Sequence, residues 1–319
     1  MTPSYLNLSR DSKLDKVIEE AYRLLKSCVI CPRKCRVNRL KNELGFCKTG
    51  LKPKVYSAIV HHGEEPPISG THGSGTIFFS NCNMRCVYCQ NYEFSQCDSG
   101  KEIDPKELAE LMLGLQKRKC HNINLVTPTH IMPQILKALK IAALGGLSIP
   151  IVYNTSGYEL PEMIKRLDGI VDIYLTDMRY ADNKMSAKYS QAPDYPIHNQ
   201  ESVKVMQRQV GVAQINADGI MERGLIVRHL VLPNNISGTR QIMRFIAEKI
   251  STDTYISLMS QYRPYYKAAA FPELNRRITK EEYNQAIKDM QEAGLHNGWI
   301  QESGGLESLA GINIKPNIF

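Results

Sequence analysis

The run Cys82-Asn-Met-Arg-Cys86-Val-Tyr-Cys89 carries the most specific chemistry of the chain. Its C-x3-C-x2-C spacing places three thiols on one short loop. Three thiolates can hold three irons of a [4Fe–4S] cluster, which ordinarily takes four Cys ligands. The fourth iron then keeps an open position, as a reactive metal site does and a closed structural site does not. A zinc or disulfide loop is the rival reading, but such sites pair four ligands.

A second group follows Cys28-x2-Cys31-x3-Cys35, with Cys47 after eleven further residues. Four thiols within twenty residues, with turns at Pro32 and Gly45, predict a second metal site, either zinc or iron–sulfur. Cys97 and Cys120 remain and read as small, unligated side chains. Nine cysteines is an odd count with clustered spacing, which points to metal ligation in a reducing cytoplasm rather than a secreted disulfide framework.

The formal net charge is +8. Part of it lies in Lys26, Arg33, Lys34, Arg36, Arg39, Lys41, Lys48, Lys52 and Lys54, opposed in that span by Glu43 alone. A zinc-stabilised module that docks nucleic acid or an acidic protein would use such a stretch. No aromatic platform for bases is interleaved with it, so the cations are read instead as balancing thiolate and cluster charge. No signal-peptide layout opens the chain, and the apolar stretch at 136–152 is too interrupted to span a bilayer.

The elements that must position these loops follow from periodicity. Residues 11–27 read as an amphipathic helix with Leu14, Val17, Ile18, Ala21 and Leu25 on one face. Residues 63–75 are rich in Gly and Pro and mark a boundary between an N-terminal helix with its four-Cys module (1–70) and a larger domain (71–319). Short apolar runs then recur at 76–79, 123–126, 149–153, 171–175, 225–232 and 255–259, as buried parallel strands do. Helical patterns lie between and after them at 104–119, 131–144, 160–167, 200–217, 237–250 and 279–293. Six such strands alternating with helices predict an α/β fold with a parallel sheet. Periodicity alone does not separate an open barrel from a doubly wound sheet.

Chemistry in such folds gathers at the carboxyl ends of strands. The residues expected there are Thr127 and Thr129 in Val126-Thr-Pro-Thr-His130, and Thr155 in Asn154-Thr-Ser-Gly157. Asp177 and Arg179 follow in Thr176-Asp-Met-Arg179, and Arg228 precedes His229. A guanidinium among apolar residues needs a buried partner, and Arg can hold a carboxylate through two parallel hydrogen bonds. His229 faces the other side of a regular strand and is read as a satisfied core or interface histidine.

With its aromatic Tyr88 before the last cysteine and Gln90-Asn91 after it, the cysteine loop resembles that of the radical S-adenosylmethionine (SAM) superfamily. It is most similar to the pyruvate formate-lyase activating enzyme group and its uncharacterised activating-enzyme-like branch. Gly73–Ser80, Val126–His130 and Ser257-Leu-Met-Ser-Gln-Tyr-Arg-Pro264 extend the likeness. The resemblance implies a partial (β/α)6 TIM-like barrel with the four-Cys module as an N-terminal extension. It implies a [4Fe–4S] cluster on Cys82, Cys86 and Cys89 that reductively cleaves SAM to a 5′-deoxyadenosyl radical, which abstracts hydrogen from a substrate. The target would be a glycine of a glycyl-radical enzyme, another protein or a small molecule, and the electron donor a flavodoxin or ferredoxin. Asn154–Gly157, Asp177–Arg179 and Val227–Pro233 resemble the group's SAM-binding segments, which puts Thr155, Asp177, Arg179 and Arg228 around SAM beside Tyr88. The departure is at 127–130, where the superfamily's Gly-Gly-Glu-like stretch is replaced and Thr127 and Thr129 stand in as acceptors for the SAM amine.

Overall fold

In the computed structural model the described residues are 2–10 and 13–301. Asp11 and Ser12, the start of the first expected helix, lie outside them, as does the end of the chain after 301. One ten-stranded sheet organises the molecule, with strand order β10-β9-β8-β6-β5-β4-β2-β1-β3 and β7 paired to β8. The strands are β1 (Lys54–His61), β2 (Ser74–Phe79), β3 (Lys101–Glu102), β4 (Ile123–Val126), β5 (Ile151–Thr155), β6 (Ile173–Asp177), β7 (Gln214–Ile215), β8 (Met221–Leu230), β9 (Tyr255–Met259) and β10 (Gly298–Ile300).

From β2 through β4, β5, β6, β8 and β9 every neighbouring pair is parallel, and the strands lie side by side in chain order. A doubly wound sheet reverses its order at a switch point; this one never does. It winds one way, as a barrel does, and stops open. The antiparallel β1 and β3 border β2 on one edge, and the parallel β10 borders β9 on the other. The fold is therefore the α/β partial (β/α)6 barrel. All six strand regions expected from apolar runs are present.

Burial explains why those runs read clearly. Every residue of β2, β4, β5 and β6 is buried, so apolar side chains are required on both faces rather than on alternate positions. Each fully buried Leu or Ile contributes about 1.5–3 kcal/mol. The helices covering the sheet start and stop where local chemistry dictates. Asp104 caps Pro105–Lys117, accepting from the N–H groups of Lys106 and Glu107 while Glu107 returns a bond to the cap backbone. Thr279 and Glu282 do the same for Lys280–Glu292.

Differences from expectation have local causes. The helix expected at 200–217 runs Tyr195–Val210, because Pro196 suits a helix start and Gly211 (φ 74°) ends it. The first expected helix shortens to Lys13–Arg23 and tightens into a 3₁₀ turn at Leu24–Ser27. Its Asp15 pairs with Lys140 of the helix Met132–Leu144, which ties the N-terminal segment to the body. Strand β1, before the Gly- and Pro-rich stretch, is part of the main sheet through its pairing with β2. No described helix is long and apolar enough to cross a membrane.

Candidate functional site

Strand β2 ends at Phe79, and Asn81 adopts a left-handed φ of 71° that turns the chain into the cysteine loop. Cys86 is buried, and Cys82 and Cys89 are half-buried. Each sulfur faces a hydrogen-bonding group. The Met84 N–H donates to Cys82 Sγ at 3.3 Å. Ser95 Oγ lies 3.2 Å from Cys89 Sγ. Cys86 Sγ accepts from Ser190 Oγ at 3.0 Å and from an Arg179 guanidinium N–H at 3.3 Å. Burial pushes the Cys82 thiol up to about 12, with Cys86 beside it adding to the rise, and burial likewise raises Cys89. A coordinated metal removes that obstacle, since a thiol bound to it is deprotonated outright. Donors aimed at all three sulfurs suit thiolate ligands, so the loop fits the cluster that its spacing implies. Among the described residues no three thiol, imidazole or carboxylate groups converge tightly enough to hold a single ion.

Behind the loop runs a hydrogen-bonded chain that sequence did not reveal. The Tyr88 hydroxyl meets the Tyr180 hydroxyl at 2.6 Å, Tyr180 meets Ser190 Oγ at 2.8 Å, and Ser190 reaches Cys86. Tyr88 thus backs the loop and also lines the main cavity.

The polar strand ends converge beside the thiols. Asp177 and Arg228 stand directly opposite each other on β6 and β8. Asp177 accepts from Arg228 Nε at 2.8 Å and from Arg179 Nε at 3.0 Å and Nη2 at 2.5 Å. Burial alone would raise its carboxyl, but the Arg228 and Arg179 guanidiniums outweigh it and hold Asp177 below the usual carboxylate range. Arg228 also donates to Asn154 Oδ1 at 2.7 Å, and Asn154 donates to Glu64 at 3.3 Å. A recess of about 80 Å³ adjoins all three thiols and is lined by Thr127, Thr155, Asp177, Arg179 and Arg228. Gly157 (φ +76°) makes the turn after β5 possible: a Cβ there would lie 2.4 Å from the Asp177 carbonyl oxygen and 2.1 Å from Asn199 Nδ2.

Two of the threonines have further duties. Thr129 and Thr155 both donate to Glu159 Oε1, at 2.5 and 2.6 Å. Thr129 is buried away from the recess, whereas Thr127 faces it with a φ of 62°, a left-handed conformation rare for a β-branched residue. Burial raises the Glu159 carboxyl to about 7, against the lowering effect of those hydroxyls. His229 is a satisfied core histidine, bonded to the Met178 carbonyl at 2.7 Å and to Thr239 Oγ1 at 2.9 Å.

A larger open cavity of about 410 Å³ continues from Cys89, Tyr88 and the Asp177–Arg179–Arg228 group toward Trp299. Its lining includes Glu64 and Glu65, which sit next to Asn154 and Arg228 and which sequence reasoning passed over as boundary residues. The only signal was a doubled carboxylate immediately before Pro66-Pro67.

Cys28, Cys31, Cys35 and Cys47 line one small hollow of about 10 Å³ together with Arg39 and His130. Burial pushes Cys31 upward, and the neighbouring Cys47, Cys28 and Cys35 add to it against the Arg33 backbone N–H. Phe46 joins this module to the cluster loop: Arg33 stacks 3.7 Å above its ring, and Arg85 donates to its carbonyl at 2.7 Å.

The radical SAM superfamily pattern matches residues 76–246. An uncharacterised protein of Methanocaldococcus jannaschii is 33% identical over 294 residues, covering 89% of this chain and 80% of that protein. A second from the same organism is 24% identical over 284 residues, covering 82% and 78%. Among solved structures, Streptococcus suis SuiB bound to the precursor peptide SuiA superposes with a TM-score of 0.49 at 9% identity, over 72% of this chain and 48% of that one. This chain thus spans about half the length of that neighbour. The sequence match from β2 to the helix after β8, with the near full-length relative at one-third identity, shows that the chain belongs to the radical SAM superfamily.

Proposed function

We propose that the chain is a radical SAM enzyme whose reactive centre lies at the carboxyl ends of β2, β5, β6 and β8. The observation that carries this reading is the junction of three hydrogen-bonded cysteines with a recess walled by Asp177, Arg179 and Arg228. A [4Fe–4S] cluster held by Cys82, Cys86 and Cys89, with SAM bound beside it, supplies reductive SAM cleavage and hydrogen-atom abstraction. The chain's own residues bind, orient and shield. Arg179 and Ser190 place positive charge and a hydroxyl on Cys86. Asp177 fixes the two guanidiniums, and Thr127 and Thr155 supply acceptors at the recess wall. Burial of Cys86, backed by the Tyr88–Tyr180 pair, limits water at its sulfur.

The activase likeness suggests a glycine Cα–H of a separate protein as target, with flavodoxin or ferredoxin as electron donor. The carboxylates that line the cavity favour a second reading, a charged small molecule or protein side chain. At the N-terminus, four cysteines on one hollow favour a zinc ion or second iron–sulfur centre, which would gather as the thiols close around it.

The reading is tested by anaerobic reconstitution with iron and sulfide, reduction, and addition of SAM. The parent releases 5′-deoxyadenosine and shows a [4Fe–4S] Mössbauer signature; Cys86→Ala loses both. Zinc alone on the protein, or equal release by Cys86→Ala, would refute it.

A further inference from the structure

The loop between β1 and β2 places two carboxylates against the ends of β5 and β8, beside Asn154 and Arg228. Glu64 and Glu65 precede Pro66-Pro67, and the backbone there is locked. The Glu65 carbonyl accepts from the N–H groups of Ile68 at 2.8 Å and Ser69 at 3.0 Å, and the Glu64 N–H donates to Ser69 Oγ at 3.0 Å. The prolines restrict φ, and Gly70 (φ +48°) packs so closely that a Cβ would lie 2.1 Å from Ile220 Cδ1. Such a loop holds its side chains in place rather than letting them swing to solvent.

Both carboxylates line the large cavity and neither lines the recess beside the thiols. Arg228 lines both spaces. Its Nε edge faces Asp177, its Nη2 faces Asn154, and its Nη1 lies 3.7 Å from Glu64 and 4.0 Å from Glu65. Glu64 Oε1 also accepts from Asn154. Glu65 is 8% exposed, and its Oε2 is buried with no hydrogen-bond partner. That oxygen is the one 4.0 Å from Arg228 Nη1, so it has a long ion pair and no hydrogen bond; a buried carboxylate oxygen left so at a cavity wall calls for a donor from a ligand. The charge count agrees. Asp177, Glu64 and Glu65 face Arg179 and Arg228 along this cavity, and Arg179 is spent on Asp177. With Glu65 ionised the surplus is negative and sits on the Glu64–Glu65 side. Burial, together with Glu64 beside it, raises the Glu65 carboxyl to about 7 despite Arg228. Burial also holds the neighbouring His61 below its usual range, so it adds no cation at ordinary pH. Trp299 also lines this cavity and offers an aromatic surface of the kind that organic cations prefer.

We infer that Glu64 and Glu65 form the substrate-recognition wall of the cavity and bind a protonated amine, either a free alkylamine or a lysine side chain. The inference rests on the radical SAM reading for calling this ligand a substrate, while the binding itself does not need SAM cleavage.

Binding is measured calorimetrically on anaerobic holoprotein with SAM and without reductant. The probes are 1,4-diaminobutane and the peptide Gly-Lys-Gly, each against a neutral counterpart, 1,4-butanediol and Gly-norleucine-Gly. At least one amine should bind about tenfold or more tightly than its counterpart, as loss of one charge-assisted contact predicts. Glu65→Gln, with an unchanged circular dichroism spectrum, should remove that preference, and Glu64→Gln should reduce it. Preference for the diamine alone identifies a free amine, and preference for the peptide alone identifies a lysine side chain; either supports the inference. Three results overturn it: no preference for either amine, a preference that survives in both variants, or displacement of the amine by SAM, which would assign the carboxylates to the cofactor. The radical reading is judged separately by 5′-deoxyadenosine release from the parent, so either can fail without the other.

Discussion

Glu159 offers a test of how burial shapes the site. It is 1% exposed and accepts from Thr129 and Thr155 at the ends of β4 and β5. Its folded pKa is about 7, against about 4.3 for an unperturbed Glu. The folded state therefore holds a proton that the unfolded chain has lost over the interval between these values. Stability attributable to this group is highest below about pH 4.3 and declines as the pH rises through 7, levelling off above. At about 1.4 kcal/mol per pH unit, the full decline is about 3–4 kcal/mol. Glu159→Gln keeps the acceptor oxygen for both threonines and removes the titration. Scanning fluorimetry of parent and variant from pH 4.5 to 8.5 should show the variant gaining on the parent as the pH rises. At about 2 °C per kcal/mol for a chain of this size, the gain approaches about 7 °C. Taking the variant-minus-parent difference cancels the other raised carboxyls, Glu65 and Asp172, which titrate in both proteins. A difference that stays constant across the pH range would refute the assignment of a buried, protonated Glu159.

Two further outcomes follow from the same geometry. Asp177→Asn removes the anion shared by Arg179 and Arg228. It should cost about 2–3 kcal/mol, below the usual penalty for breaking a buried pair because Arg228 keeps Asn154 and Glu64 and the side chains of Arg179 and Arg228 are 25% and 18% exposed. Because the Asp177 carboxyl is depressed, this cost is present above about pH 3.9 and vanishes as the pH falls below the folded value, which acid denaturation curves of the two proteins would reveal. Ser190→Ala deletes a hydroxyl donor to Cys86 and leaves Arg179 in place. Hydrogen bonds to a ligating sulfur favour the more negative, reduced cluster, so the midpoint potential should fall by tens of mV, with about 59 mV corresponding to about 1.4 kcal/mol. An unchanged potential by redox titration with electron paramagnetic resonance would remove Ser190 from the positioning of that sulfur.

What sequence could show was whatever depends on spacing along the chain. The C-x3-C-x2-C loop is complete within eight residues, so its chemistry is legible without a fold. The buried strands are legible because full burial on both faces demands unbroken apolar runs, and the helix at 105–117 because its cap is local. Arg228 stood out because a charge inside such a run needs a partner, and the sheet register supplies Asp177 directly opposite. Strand β1 escaped notice because it precedes the Gly- and Pro-rich stretch and pairs antiparallel with a strand beyond it. Glu64, Glu65, Glu159 and Ser190 were hidden for a common reason. Each is an ordinary polar residue locally, and its meaning depends on what the fold brings near it from about 100 to more than 160 positions away, or, for Glu159, on burial that no local pattern announces. The sequence by itself determined the reactive loop and the winding of strands and helices, since both are written in short-range pattern. Only tertiary structure decided which carboxylates face the cavity, because burial and unmatched charge are properties of the space between distant segments.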